Sequence, residues 1–193
     1  MPLGILWTPT YRGAGGGGPV PYDFTLDTQA DSGSQIVGFS FFLQPPTIYD
    51  GNGNGTGRDN NDYVGGFSFP TVNLVSCSSA TFTIDLVTPD AGGTFLVHGE
   101  RNDSAPSAQY SASNLPSASF AKQTTATATG NVNSPTGLKV ISVTTIIQEI
   151  MGTAFWASGQ RINLFIEATS SFAYGDFGYP PATGTPARLE ITP

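Results

Sequence analysis

Apolar and polar residues alternate with a period of two along much of this chain, the spacing of a strand that buries one face. In Thr81–Val87, Phe82, Ile84 and Leu86 share one side, while Thr81, Thr83 and Asp85 share the other. The stretch 161–168 turns Ile162, Leu164 and Ile166 inward, and 187–192 turns Ala187, Leu189 and Ile191 inward with Arg188 and Glu190 outside. Thr94–Arg101 is a further strand, set off by Pro89-Asp90 and Gly92-Gly93. From Ile36 to Leu43 apolar residues dominate up to Pro45-Pro46, which predicts one buried strand. Residues 102–137 are rich in Ser, Thr and Ala with weak periodicity, suited to edge strands and loops. The period changes once, at Thr144–Met151. There Thr145 and Gln148 fit a capping box, Glu149 lies near the positive helix end, Ile146, Ile147 and Ile150 share a face, and Gly152 is a stop signal. This predicts one helix of about two turns, plugging an end of a sandwich.

Composition agrees. Of 193 residues, 24 are Gly and 15 Pro, and only 11% are charged against roughly 25% in ordinary soluble domains. A largely helical chain is excluded, because helix interiors reject Gly and Pro. An apolar share of 38%, with thirteen Phe and seven Tyr, is enough for a core and excludes disorder throughout. The fold class expected is all-β: a jelly-roll-like antiparallel β-sandwich with one short helix and an extended N-terminal arm. The arm is residues 1–21, with Ile5, Leu6 and Trp7 as apolar anchors ahead of four successive glycines, Gly15 to Gly18. Residues 22–193 form a single domain. The net charge of −7 and seven singly scattered basic residues argue against nucleic acid and against anionic membrane surfaces. No apolar run approaches the ~20 residues of a membrane span. The start lacks the basic region of a signal peptide, and Cys77 has no partner for an internal disulfide, so synthesis in a cytoplasm is expected.

Candidate chemistry is sparse. Asp50, Asn52, Asn54 and Thr56 match the start of a calcium loop, in which oxygens at alternate positions and a glycine turn wrap a hard cation. Arg58 and Asn61 depart from that pattern, and a plain Gly/Asn turn that needs no metal is the competing reading. Calcium is the only cofactor considered. His98 shares a strand face with Glu100, expected to be the wet face. It is the only histidine, so a zinc site lacks ligands, and a Ser-His-Asp triad lacks a Gly-x-Ser-x-Gly elbow. Glu100, Glu149, Glu167 and Glu190 are the carboxylates from which a glycosidase pair would be drawn. No catalytic residue is expected. Trp156, Tyr174 and Tyr179 could form a sugar-stacking platform, or equally fill a core or an interface.

From about Ala80 onward the chain carries VTTIIQEIMGTAFWASGQRINLFIEA, an aromatic stretch FAYGDFGYP, and a closing PARLEIT. This order resembles the DNRLRE-type jelly-roll modules, with their D-V-T-x-x-V-Q-E-like turn, W-x-x-G and terminal P-x-L-x-I strand. Ser142-Val143-Thr144 departs from the acidic start of that turn. Such modules occur in secreted carbohydrate-active proteins and in structural proteins of tailed bacteriophages. The resemblance implies a non-enzymatic virion protein, a capsid decoration or cement protein on the virion surface. Its partners would be the major capsid protein and copies of itself, as a homotrimer. The alternative it implies is a carbohydrate-binding module or a receptor-facing tail component.

Overall fold

The computed structural model describes residues 21–26, 32–36, 41–42, 46–49, 58, 62–89, 92–101, 103, 105–111, 113–133, 135–170, 173–178 and 184–193. Within them lie twelve strands, every pairing antiparallel. They are β1 (Tyr22–Thr25), β2 (Ser32–Ile36), β3 (Phe41–Phe42), β4 (Thr47–Tyr49), β5 (Tyr63–Val72) and β6 (Ser79–Thr88). After these come β7 (Thr94–Gly99), β8 (Ala128–Asn131), β9 (Gly137–Ser142), β10 (Gln160–Ala168), β11 (Tyr174–Phe177) and β12 (Arg188–Thr192). A 3-10 helix spans Pro116–Lys122 and one α-helix, α1, spans Thr144–Met151.

Hydrogen bonding runs β1-β12-β6-β11-β4-β5-β10-β7-β8, with β9 on the other edge of β6 and β2 on the other edge of β5. The path folds back on itself to bury its apolar face. Phe82 of β6 meets Phe67 and Phe69 of β5 edge to face at 5.1 and 6.0 Å, and Phe95 of β7 meets Phe177 of β11 at 5.5 Å. The first layer is therefore β1, β12, β6, β9 and β11, and the second is β2, β5, β10, β7 and β8, joined through β4. The all-β sandwich with one short helix is what the alternation dictates: Phe82, Ile84, Leu86, Ile162, Leu164, Ile166, Leu189 and Ile191 all point into one core. Ile146, Ile147 and Ile150 of α1 complete it. Their approach depends on Gly99, where a methyl group would fall 2.6 Å from Cδ1 of Ile150.

Two local expectations are corrected, and one strand is buried more deeply than its alternation requires. The apolar run from Ile36 is not one strand: β2 ends at Ile36 and β3 pairs back on it, Ser34 opposite Phe42. No capping box forms at α1, whose N-cap is Val143, and Thr145 lies inside the helix. Thr144 instead accepts from the Ala80 N–H, Gln148 donates to the Cys77 carbonyl, and the Glu149 carboxylate accepts from the N–H groups of Thr125 and Ala126. Tertiary partners took the groups that a free helix would have used on itself. Gly152 does cap the helix end. Finally, β10 is buried on both faces, Asn163, Phe165 and Glu167 included.

That second buried face has a cause. The chain between Glu100 and Gln123 leaves the sheet and returns to it, closing with the bridge Glu100–Gln123 and the bond from Arg101 N–H to the Lys122 carbonyl. It lays Tyr110, Pro116, Ser117, Ser119 and Phe120 over the outer side of β5, β10 and β7 as a third layer. Gly66 makes room for it: a methyl group there would fall 2.7 Å from Tyr110 Cδ2 and 2.8 Å from Pro116 Cγ. Gly66→Val is expected to cost about 1–3 kcal/mol by overpacking. It should also raise hydrogen exchange in residues 105–123 ahead of the core strands, measured by mass spectrometry.

Candidate functional site

Polar residues concentrate in two places, under the covering loop and on the open outer face of the first layer. Under the loop, alternation sends Leu96 and His98 of β7, and Glu100 just past its end, to the side away from the core, beside Asn163, Phe165 and Glu167 of β10. There Glu167 is 4% exposed and His98 3%. The Arg58 guanidinium donates to both Glu167 oxygens, the Nη2 bond being 2.6 Å, and also to Gln123 Oε1 at 2.6 Å. Arg58 lies over the Phe120 ring, 4.7 Å from its centre. His98 Nε2 is 2.8 Å from Glu167 Oε1 and its ring stacks on Phe165 at 5.0 Å. Nε2 of His98 donates to the ionised carboxylate, and Nδ1 has no partner among the described residues.

Beside this clamp runs a second network, which ends on the Glu100 carboxylate. Tyr110 N–H donates to Ser68 Oγ, Ser68 donates to Asn163 Oδ1, and Asn163 Nδ2 donates to Glu100 Oε2 at 2.8 Å and to the Ala108 carbonyl at 2.7 Å. Burial and the Glu100 charge push the Tyr110 phenol well above its usual range, and its oxygen meets Ser119 Oγ at 3.1 Å. Burial raises the Glu167 carboxyl, but the hydrogen bonds from His98 and Arg58 outweigh it and hold the group below the usual carboxylate range. The arrangement fastens the covering loop to the sheet. It has little to offer a substrate, because Glu167 is buried and already accepts three hydrogen bonds from Arg58 and His98.

The sign of the pH effect follows. A carboxyl with a depressed folded pKa stabilises fully above its unfolded value and loses that contribution as pH falls through the folded one. Protein taken from about pH 7 to about pH 3 is expected to release the loop. Hydrogen exchange in residues 105–123 would rise on acidification; protection unchanged at the lower pH would contradict the clamp.

Other sequence candidates are distributed as follows. His98 and Glu100 do share a strand face, but it is covered rather than wet, and they bond to Glu167 and Asn163 rather than to each other. Glu100 and Glu167 are held by different partners, Asn163 for the first and Arg58 with His98 for the second. Glu149 caps backbone N–H groups and Glu190 pairs with Arg188 at 2.8 Å. Among the described residues no group of three His, Cys, Asp or Glu is placed to hold a metal. Asp50, Asn52, Asn54 and Thr56, the calcium-loop residues, lie outside the described residues, as do Ile5, Leu6 and Trp7 of the arm and Tyr179. Arg58, from the same loop sequence, is committed to Glu167.

The aromatic platform is not assembled as drawn from sequence. Trp156 donates to the Leu74 carbonyl just past the end of β5, whereas Tyr174 packs edge to face on Tyr49, which meets Tyr63 at the start of β5. Ten residues of β5 separate the two, roughly 30 Å. Burial and the 2.5 Å bond to Asp176 push the Tyr174 phenol up to about 12. Sequence reasoning missed the third layer, Arg58 and Tyr110; the polar residues at the outward positions of a strand gave no sign of what would cover them.

The outer face of the first layer is different. Register places Val140, Thr83, Arg188 and Thr25 in one row across β9, β6, β12 and β1, and Ser142, Thr81, Glu190 and Asp23 in another. β9 pairs only with β6 among the described residues, and its outward Leu138 and Val140 are 59% and 67% exposed. A groove of about 280 Å³ crosses the face, lined by Asp23, Thr25, Thr83, Leu138, Thr185, Pro186 and Arg188. No helix of the described residues is long and apolar enough to cross a membrane. No protein-family model matches this chain, and no curated protein matches it either.

Proposed function

We propose that this chain is a non-enzymatic structural protein of a virion, a head decoration or cement protein on the capsid surface, made in the cytoplasm of the host. The observation that carries this reading is the unequal treatment of the two outer faces. One is sealed by the chain's own loop, and the charged groups beneath it are spent on one another. The other is open and grooved, and ends at an edge strand with Leu138 and Val140 in solvent. Apolar residues at alternate positions of an uncovered edge suit association rather than catalysis.

The partners in this reading are the major capsid protein and further copies of the chain, in a homotrimer about a symmetry axis. Ile5, Leu6 and Trp7 of the arm act as staples between subunits, each worth about 1.5–3 kcal/mol when buried. Repetition over many copies multiplies such contacts. Light scattering of the full-length chain is expected to give three times the 20.1 kDa chain mass. Virus particles purified on a density gradient should carry the chain at a fixed ratio to the major capsid protein. A monomer that separates from the particles would overturn the reading.

A further inference from the structure

We propose that the open outer face of the first layer is the receiving site for the arm segment Leu3–Trp7 of a neighbouring copy, with Trp7 seated in the groove beside Leu138 and Pro186. The inference rests on the decoration reading and supplies what it lacks, the surface on which the arm acts. Three observations meet here. First, the face has an apolar border and a recess. Leu138 and Val140 stand exposed at alternate positions of β9, and the groove, at about 280 Å³, exceeds the ~150 Å³ cavity that accepts a benzene ring. Second, the charges complement. The face and groove carry Asp23, Asp85 and Glu190 against Arg188, while Lys139 alternates to the other side of β9 and Arg12 is the one charged side chain in residues 1–20. Lys139 is turned to the carbonyls of Asn133 and Pro135.

Third, length and direction select a neighbour. The arm joins β1 at Tyr22, opposite Ile191, whereas the groove lies at the Thr25 end, by Arg188 and Thr83. The point where the arm enters β1 is thus at the end of the strand away from its own groove. The face is three strand spacings wide, roughly 14 Å. Residues 8–21, between Trp7 and Tyr22, span up to about 46 Å when extended, a reach suited to the next subunit.

The test uses the full-length chain with Cys77→Ser, since Cys77 is the one native thiol. One preparation carries Thr8→Cys, next to Trp7, and a second carries Ser142→Cys, exposed on the same face as Val140. Mixed and mildly oxidised, they are expected to form disulfide-linked dimers, whereas Thr8→Cys mixed with Thr129→Cys on β8 is not. Adding Leu138→Ser and Val140→Ser to the Ser142→Cys chain should lower the yield at least about tenfold, with thermal stability unchanged because both residues are exposed. A chain carrying both Thr8→Cys and Ser142→Cys should link between copies. Linkage only within one chain, equal yield with the Thr129→Cys control, or no linkage would each overturn the inference. Co-purification with virus particles then separates the two ideas. Particle binding without linkage removes the docking site and leaves the decoration reading, and linkage without particle binding does the reverse.

Discussion

Phe82→Ala is expected to lower the free energy of unfolding by about 3–5 kcal/mol, measured by urea or thermal denaturation. Phe82 is fully buried and its ring meets Phe67 and Phe69, so it joins the two layers at the centre of the core. Alanine removes the transfer energy of the ring and leaves a cavity whose walls are two other rings held on paired strands, which collapse poorly. The edge-to-face contacts add about 0.5–1.5 kcal/mol beyond area alone. Phe82→Leu, which keeps most of the volume, should cost clearly less. Equal losses for the two variants would mean that the layers are not held through this ring.

Glu167→Ala is the second large effect, about 2–4 kcal/mol. Removing one partner of a buried ion pair costs about 3–5 kcal/mol because the other charge is stranded. The figure is reduced here because Arg58 is 31% exposed and can reach water. His98 has no such exit and would lose the partner of its Nε2, with none at Nδ1 among the described residues. Glu167→Gln keeps the shape but not the charge, and should fall between the wild type and Glu167→Ala. A further signature separates this clamp from ordinary packing. The acid-induced loss of protection in residues 105–123 should be absent in Glu167→Gln, because the group that titrates is gone. If the variant keeps the same acid response, another carboxyl is responsible.

How much of this was legible in the sequence differs by element. Strands with one apolar face, such as β6 and β12, read directly, because period two against a single core leaves no alternative register. For β10 the inward residues Ile162, Leu164 and Ile166 read equally well, yet nothing in the alternation told that its outward Glu167 would be covered. Nothing local tells a polar residue that faces water from one that faces a loop 44 to 67 residues distant. The Ile36 run misled for a related reason: continuous hydrophobicity marks burial but not where a chain reverses. The capping box of Thr145 and Gln148 failed because the helix starts earlier, with Val143 at its N-cap, and Gln148 donates to the Cys77 carbonyl instead.

By itself the sequence determined that this is an antiparallel β-protein with one helix and one aromatic core, since alternation and composition act locally and all point the same way. It also determined which residues would face that core. Only the tertiary structure decided that one outer face is covered and the other open. That choice depends on contacts across long chain separations: Arg58 to Glu167, Tyr110 over Gly66, and Gln35 to Ser117. Their energies come from closing distant loops and excluding water together. No single segment carries that information.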